Sequence, residues 1–364
     1  MKYIAKLYNR ILSVYYLPHP AQTRAMETKR LGKQTVHLTL QPGIAAAACV
    51  GGKKEGEGPL RRFFDYLSDD SRFGAKSWEK AESAMLKMCY AIACDKAKTP
   101  PGDVEYVFSG DLLNQCAGSA YAMRECGVPY FGLYGACSTM AESLSLAAML
   151  IDGGFCNIAA AATSSHFCSA ERQYRFPLQY GCQRPPTSQW TVTGAGALIL
   201  KADGPGPYVT HITTGVITDA GVTDMNNMGA AMAPAAYDTL TAHFKDTGRT
   251  PDYYDAIVTG DLGVVGSDIL RDLFARDGID LGVRYMDCGR LIYAINGQDA
   301  HSGGSGCGCS ASVLCGHLLH GMLEGNWNKL LFAATGAMMS PTTNQQGESI
   351  PAICHAVALE NSRC

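Results

Sequence analysis

An internal repeat constrains the fold of this 364-residue chain more than any other feature. When the sequence is slid along itself so that Cys309-Ser310 falls on Cys137-Ser138, Ala333–Thr335 falls on Ala161–Thr163. Solenoid and propeller repeats recur after about 20–50 residues, whereas the offset here is nearly half of the chain. We therefore predict a duplicated domain of mixed α/β type.

The boundary between the two copies is predicted at the turn-rich segment Ala202–Pro207, where glycine and proline alternate. The first α/β half would cover residues 30–205, and the second half would cover residues 206–364. Each half is expected to contain strands that lead into helices through short loops. Residues 1–29 fall outside the repeat and form an N-terminal extension.

This extension differs in kind from the rest of the chain. Lys2, Lys6 and Arg10 interrupt its apolar positions too often for the core of a signal peptide, and Pro18-His19-Pro20 ends the stretch. An amphipathic membrane anchor is one interpretation of the pattern. We favour a loose arm or an extended gene start that is not native to the protein.

Cys137 is the leading candidate for a functional side chain. It follows the apolar run Val128–Leu133, which predicts a buried strand, and it precedes Met140–Leu150, whose apolar spacing predicts a helix. A thiol at the start of a helix lies near unpaired amides and the positive end of the macrodipole, which lower its pKa and favour a nearby anion. The alternative is a buried structural cysteine, the role expected for most of the 15 cysteines.

Two short loops, one in each half, also have matching sequences. A Ser-Gly-Asp-Leu sequence contains Asp111, and a Thr-Gly-Asp-Leu sequence contains Asp261, each after apolar residues of strand type. Asp111 is a candidate ligand-binding residue, although a carboxylate repels an anion unless a proton is shared or a cation intervenes. A loop-ordering carboxylate is the alternative, and the matching Asp261 favours it.

Two histidines and one serine complete the candidate site. His166 follows a run of apolar residues and is expected to emerge beside Cys137, while a hydrogen-bonded interior imidazole remains the alternative. His301 precedes the glycine-rich loop that contains Ser305, where small residues let a ligand approach the backbone closely. We expect these side chains to surround one pocket together with Cys137 and Asp111.

Composition excludes several classes of protein. The chain is 47% hydrophobic and 17% charged with a net charge of -3, and it has no basic cluster, so we expect no nucleic-acid partner. The cysteines lack paired Cys-x-x-Cys spacing, which indicates reduced thiols and no zinc site, and we predict no metal and no cofactor. No run approaches the roughly 20 apolar residues of a membrane-spanning helix.

The duplicated unit with a cysteine at its first strand-to-helix junction resembles the thiolase superfamily. More narrowly, five blocks between about Leu31 and Glu360 resemble the stage V sporulation protein AD family. The blocks are Tyr134–Glu142, Thr163–His166, Thr191–Ala197, Asn227–Ala236 and His301–Cys309. The resemblance implies a thiolase-like five-layer fold built from the two α/β halves.

The resemblance also bears on catalysis. Thiolases and condensing enzymes activate their cysteine with a histidine and with a second cysteine, an asparagine or another histidine. The late cysteine loop corresponds here to Ser340–Gly347, which has no cysteine, and the ketoacyl synthase histidine and asparagine correspond to Gly260-Asp261 and Ser305. The resemblance therefore implies a protein that is not an enzyme. The alternative is an active thiolase or ketoacyl-synthase-type acyltransferase that uses Cys137.

The resemblance implies a ligand and a setting as well. The ligand would be dipicolinic acid, free or as its calcium chelate, bound by the five candidate side chains during uptake into the developing spore and release in germination. Partners would be other stage V sporulation A proteins at the membrane and a second copy in a homodimer. The protein would be peripheral at the spore inner membrane, since the sequence has no transmembrane segment and no clear signal peptide.

Overall fold

A computed structural model describes residues 28–174 and 184–363. The predicted N-terminal extension therefore lies outside the described residues, apart from its last two positions. The strands of the described part are β1 (Thr35–His37), β2 (Gly43–Gly51), β3 (Tyr66–Leu67), β4 (Tyr106–Gly110), β5 (Tyr130–Leu133), β6 (Ile158–Ser165), β7 (Trp190–Thr191), β8 (Gly194–Lys201), β9 (Tyr208–Thr213), β10 (Ala256–Thr259), β11 (Tyr285–Asp287), β12 (Gly304–Ser305), β13 (Lys329–Ala337) and β14 (Ala352–Glu360).

The strands form two groups of the same topology, and their order along the sheet is reversed from one group to the other. The first runs in the order β5-β4-β6-β8-β2, and the second continues as β9-β14-β13-β10-β11. In each group the outer three strands are parallel and the inner pairings are antiparallel. The groups meet where Gly43 of β2 pairs with Tyr208 of β9. The predicted division between residues 205 and 206 falls in the connection between β8 and β9.

Helices cover both sheets and fill the space between them. They are α1 (Lys53–Gly56), α2 (Trp78–Lys96), α3 (Ala117–Met123), α4 (Thr139–Asp152), α5 (Phe167–Tyr174), α6 (Met228–Thr247), α7 (Gly263–Arg276), α8 (Cys288–Leu291), α9 (Cys307–Val313), α10 (Leu319–Leu323) and α11 (Pro341–Gln345). A π-helical turn, Leu314–Leu318, joins α9 to α10.

The helices and sheets stack as five layers. Helix α2 packs on the outer face of β2 and β8, and α6 packs on the outer face of β13 and β14. Helix α4 contacts β4 and β6 of its own half and also β13 and β14 of the other half, so it lies between the sheets together with α9. The thiolase-like α/β fold expected from the sequence is confirmed.

The central layer forms because both middle helices are apolar on most of their surface. Met140, Leu144 and Ile151 of α4 are fully buried in the largest apolar cluster, with Leu198 from the first sheet and Phe332 from the second. Two further apolar clusters fill the gaps beneath the outer helices. The layers thus fix the N-termini of α4 and α9 at the contact between the two halves.

The environment of strand β5 departs from expectation. The apolar run Val128–Leu133 predicts a buried strand, but among the described strands β5 pairs with β4 alone and forms the edge of the sheet. Phe131 is 48% exposed and stacks on Phe108, with ring centroids 5.1 Å apart. An apolar strand sequence cannot distinguish a central position from an edge position that an aromatic pair supports.

Candidate functional site

Cys137 lies in a tight turn between β5 and α4. The residue before it, Ala136, has a φ of 50°, a left-handed conformation that costs energy for a residue with a β-carbon. The turn is held because the hydroxyl of Ser138 donates to the Gly135 carbonyl at 2.7 Å and the Gly135 amide donates to Thr139 Oγ1 at 3.1 Å. This turn directs the Cys137 side chain toward the second half of the molecule.

The second half presents a carboxyl group to this thiol. Asp261 follows β10, and its buried carboxyl group lies close enough to the Cys137 thiol to raise the pKa of that thiol. The same carboxyl accepts from the Gly306 amide at 2.9 Å and from Thr335 Oγ1 at 2.9 Å. Gly306 has a φ of 99°, which glycine adopts readily and other residues do not, so the loop before α9 can bring its amide to this point.

These contacts reverse the expected chemistry of the cysteine. Burial raises the pKa of the Cys137 thiol well above its ordinary value, and the adjacent Asp261 carboxylate raises the pKa further. Only the Gly306 amide acts in the opposite direction among the main contributions. The prediction that the helix N-terminus lowers this pKa is therefore wrong, because Cys137 is 5% exposed and faces an acid. The thiol is therefore neutral.

Asp261 belongs to a pair of buried carboxyl groups. Burial raises its pKa to about 7, and the nearby Asp287 carboxylate also raises it. Asp287 accepts from Thr259 Oγ1 at 2.7 Å and from the backbone amides of Leu262 and Gly263 at 2.9 Å. Its own pKa is raised to about 6 by burial. Asp287 therefore orders the loop that carries Asp261 and keeps the region acidic.

A small cavity opens beside Cys137. Its volume is about 40 Å³, close to the roughly 30 Å³ that one water molecule takes up in the liquid. Apolar and polar side chains from both halves form its wall: Leu112, Ala136, Cys137, Ala170, Glu171, Tyr174, Thr191, Met228, Ser305, Ala337 and Met339. The two candidate residues Cys137 and Ser305 thus lie at one cavity.

One wall of this cavity is the helix α5. Glu171 of α5 accepts a hydrogen bond from Thr191 Oγ1 at 3.3 Å, and the hydroxyl of Tyr174 donates to the Leu112 carbonyl at 3.0 Å. The Tyr174 hydroxyl also contacts that of Tyr134 at 2.6 Å. The wall is therefore hydrogen-bonded to the loop after β4 and to the ribbon of β7 and β12.

The structure places His166 away from the cavity. Its Nε2 donates to the Ser71 carbonyl at 2.8 Å, and its Nδ1 accepts from the Cys168 amide at 3.2 Å. Burial lowers the pKa of the imidazole, so the ring is a neutral, hydrogen-bonded interior group. The expected position beside Cys137 is wrong because the side chain turns outward to a loop that is distant in sequence.

His301 and Asp111 also lie outside the cavity wall. His301 Nδ1 is 2.8 Å from the Pro185 carbonyl, and Nε2 is 2.9 Å from Oδ1 of Asp299, on the solvent side of the glycine-rich loop. Asp111 is fully buried and accepts from the amides of Leu113 and Ser119 at 2.8 and 2.7 Å. It therefore orders its own loop, as the alternative interpretation stated, and its expected place at the pocket is corrected.

Comparisons with known proteins identify the family. The family model described as "Stage V sporulation protein AD (SpoVAD)" matches residues 32–360. Stage V sporulation protein AD of Bacillus subtilis (strain 168) is 43% identical over 334 residues, which cover 92% of this chain and 98% of that protein. The chain belongs to the stage V sporulation protein AD family.

Solved structures show how this family member relates to a wider fold. A 3-oxoacyl-[acyl-carrier-protein] synthase III from Aquifex aeolicus VF5 matches with a TM-score of 0.54 and 13% identity over 88% of this chain and 99% of its own. An OleA variant from Xanthomonas campestris matches with a TM-score of 0.55 and 14% identity over 89% of this chain and 100% of its own. At such identities the likeness establishes a common thiolase-type fold.

Within residues 28–174 and 184–363, no helix combines the length and apolar character needed to cross a bilayer. No group of three or more His, Cys, Asp or Glu side chains there converges in a way that could hold a metal ion.

The sequence did not indicate that Glu171 lines the cavity or that Asp261 lies near Cys137. Asp261 had a usable signal, because it matches Asp111 in the repeat, but one sequence does not tell which copy of the loop faces Cys137. Glu171 had no such signal, since a glutamate on a short helix is most often solvated. Both acids bear on which ligands the cavity can hold.

Proposed function

We propose that this protein is a non-catalytic binding protein for dipicolinic acid, with the ligand at the Cys137 cavity, and that it serves dipicolinate uptake into the developing spore and release in germination. Membership of a sporulation protein family supports the setting. The observation that carries the proposal is the buried acid beside the cysteine: the Asp261 carboxyl group lies close enough to Cys137 to raise the pKa of its thiol.

The electrostatic surroundings of Cys137 oppose catalysis. A cysteine nucleophile reacts as its thiolate, which a neighbouring histidine or other cation stabilises. Here the neighbour is a carboxylate, so the thiolate of Cys137 would place two negative charges side by side in a buried site. An acyltransferase that uses Cys137 is the competing function, and the fold shared with condensing enzymes is its support.

The charges at the cavity favour one form of the ligand. Glu171 lines the cavity, and Asp261 lies close to Cys137 outside the cavity wall, so a free dicarboxylate would be repelled by one acid at the wall and a second one nearby. The calcium chelate of dipicolinate has no net charge, and carboxylate oxygen is a preferred ligand of Ca²⁺. Leu112, Ala337 and Met339 offer an apolar surface for the pyridine ring. We therefore propose that the chelate is the bound species.

Binding requires the cavity to enlarge. Sites for drug-sized ligands measure about 300–1,000 Å³, whereas the cavity is about 40 Å³. Helix α5 contributes Ala170, Glu171 and Tyr174 to one wall, so an outward shift of this helix would open the cavity along its length. The hydrogen bond from Tyr174 to the Leu112 carbonyl would break in that step.

Calorimetric titration tests the ligand. Dipicolinate should bind in the presence of Ca²⁺ and at least about tenfold more weakly in the presence of a chelator, with benzoate as the monocarboxylate control. Glu171→Gln should weaken binding of the chelate by about tenfold, which is about 1.4 kcal/mol, since a neutral amide oxygen replaces a charged carboxylate ligand of Ca²⁺. The exposed Glu348→Gln is the matched control. Equal or tighter binding without Ca²⁺ contradicts the chelate, and no binding under either condition contradicts the function.

We further propose that the protein acts as a homodimer, peripheral at the spore inner membrane, with other stage V sporulation A proteins. The unpaired edge of β5 and the exposed ring of Phe131 support pairing with a second copy. Replacing Tyr130 or Gly132 with proline would remove an edge amide. A monomer in light scattering at micromolar concentration for the wild-type protein would count against the dimer.

A further inference from the structure

A group of charged residues surrounds Trp190 on the side of the β7–β12 ribbon opposite the Cys137 cavity. Strand β7 runs parallel to β12, with Trp190 paired to Gly304 and Thr191 paired to Ser305. Successive side chains of a strand point to opposite faces. Because Thr191 lines the cavity, Trp190 faces away from it. We call Lys54, Arg184, Trp190, Asp299 and His301 the Trp190 cluster.

Two cations share the Trp190 ring. Lys54 Nζ lies 4.1 Å from the ring centroid, and the guanidinium carbon of Arg184 lies 4.6 Å from it. Burial lowers the pKa of Lys54, and the positive charge of Arg184 lowers it further, which is the electrostatic consequence of holding both charges so close. Such an arrangement is costly unless negative charge balances it.

Three carboxyl groups oppose this effect on Lys54: Asp299 within the cluster, and Glu55 and Glu57 near it in sequence, but the pKa of Lys54 is still lowered. Asp299 accepts from Arg184 Nη2 through its carbonyl at 2.7 Å and its carboxylate at 2.9 Å, and the other carboxylate oxygen contacts His301. Lys54 donates to the neutral carbonyl of Gln298. The one carboxylate of the cluster is thus divided between Arg184 and His301.

Arg184 also has an unused donor. Its side chain is 3% exposed, yet Nη1 has no hydrogen-bond acceptor among residues 28–174 and 184–363. A buried N–H group without an acceptor is unfavourable, and a charged one more so. Because the guanidinium and the Lys54 ammonium both lie over the Trp190 ring, the oxygen atoms of one anion could accept from both.

We propose that the Trp190 cluster binds a small oxyanion, a carboxylate or a phosphate, through Arg184 Nη1 and Lys54 Nζ. The site is separate from the Cys137 cavity and does not depend on the function proposed there. A guanidinium suits this role because its planar N–H groups match the oxygens of carboxylate and phosphate groups.

Calorimetric titration of the full chain with inorganic phosphate, and separately with acetate, tests the site. We expect saturable binding of at least one of the two, and the stronger one identifies the ligand class. Arg184→Met and Lys54→Met should each weaken it by at least tenfold, whereas Arg172→Met, which removes a surface arginine paired with Glu79, should not. Asp299→Asn should tighten binding by about threefold or more, because it removes the competing carboxylate. Cys137→Phe should leave it unchanged.

Two outcomes overturn the proposal: neither anion binds the wild-type protein, or Arg184→Met and Arg172→Met bind equally well. If Arg184→Met fails to fold, wild-type crystals soaked in selenate provide the decision. Anomalous density within hydrogen-bonding distance of Arg184 Nη1 supports the site. Density at other surface positions with none at the Trp190 cluster rejects it.

Discussion

The thiol of Cys137 lies close to the buried carboxyl group of Asp261, a residue from the other half of the duplicated chain. This neighbouring acid favours the protonated sulfur, so Cys137 supplies shape and not reactivity to the cavity wall. The consequences can be measured separately for binding, chemistry and stability.

Substitutions at Cys137 should show whether the size of its side chain or the reactivity of its thiol matters for dipicolinate binding. Cys137→Phe fills the cavity and should abolish dipicolinate binding, whereas Cys137→Ser keeps a small donor and should cost less than about 1.4 kcal/mol, a factor of ten in Kd. Calorimetric titration measures both variants. A Ser variant that folds normally but no longer binds would show that the sulfur itself is required.

Incubation with acetyl or acetoacetyl coenzyme A should yield neither turnover nor an acyl adduct on Cys137. The reason is the raised pKa of the thiol beside Asp261. Intact-protein mass spectrometry detects an adduct directly. A stoichiometric adduct accompanied by turnover would establish the acyltransferase instead.

The buried Asp261 should make stability depend on pH. Its pKa of about 7 in the folded protein exceeds the ordinary value of 3.8, so the folded state binds the extra proton and loses stability as pH rises from about 4 to 7. One such group changes the free energy of unfolding by about 1.4 kcal/mol per pH unit at most. Asp261→Asn should therefore gain stability relative to wild type across this range.

Urea denaturation at pH 4.5, 5.5, 6.5 and 7.5 measures this difference for Asp261→Asn. The exposed Asp272→Asn serves as the control and should follow the wild-type slope. If the free energy of unfolding depends on pH equally in both variants, Asp261 is ionised throughout the range. The conclusion that it is protonated in the folded protein would then be wrong.

Acid should destabilise the protein through a buried histidine network. His243 Nε2 accepts from the Tyr254 hydroxyl at 2.5 Å, and its Nδ1 contacts Thr213 Oγ1 at 2.7 Å. Burial lowers the pKa of His243 and of His211 to about 3, so stability falls as pH decreases from 6.5 toward 3.

The slope should be about 1.4 kcal/mol per pH unit for each of the two histidines. Replacing His243 with asparagine should lower the free energy of unfolding at neutral pH and make its acid dependence shallower. The exposed His320→Asn is the comparison. An acid slope that is unaffected by the His243 substitution would exclude this network as the cause.

His301→Ala should leave dipicolinate binding within about twofold of wild type, because the imidazole contacts Pro185 and Asp299 outside the cavity. Titrations at pH 5.5 and 8 should give the same ratio of Kd values for both proteins. A variant that loses the pH dependence of the wild type would return His301 to the binding site.

The repeated helices and loops could be predicted from the sequence. Contacts that depend on packing between the two copies could not. The helix after Cys137 and the loop around Ser305 follow from local patterns, and both lie where they were expected. Asp111 and Asp261 are equivalent in the repeat, yet only Asp261 reaches Cys137, because the halves face each other across α4 and α9. Packing between the two copies therefore decides which of the two aspartates lies near the thiol.

The start of one helix shows a different limit of sequence-based prediction. A proline inside a helical pattern indicates a break, but α6 begins at Met228 and continues through Pro234. Asn227 caps it by accepting from the Ala230 amide at 3.4 Å, and Ala231, Met232 and Ala235 are buried against the second sheet. Tertiary burial outweighs the lost backbone hydrogen bond at proline, which local propensity cannot anticipate.

The position of the cavity between the two copies has a consequence for how the molecule can change. Cys137 comes from one copy, and Asp261 and Ser305 come from the other, so a chain cut between Lys201 and Tyr208 would give two fragments that each lack a site. Cys309, the counterpart of Cys137, is fully buried and points to the Gly260 carbonyl at 3.7 Å. The two copies thus supply different residues to one cavity. A substitution in either copy therefore affects a site that also contains residues of the other copy.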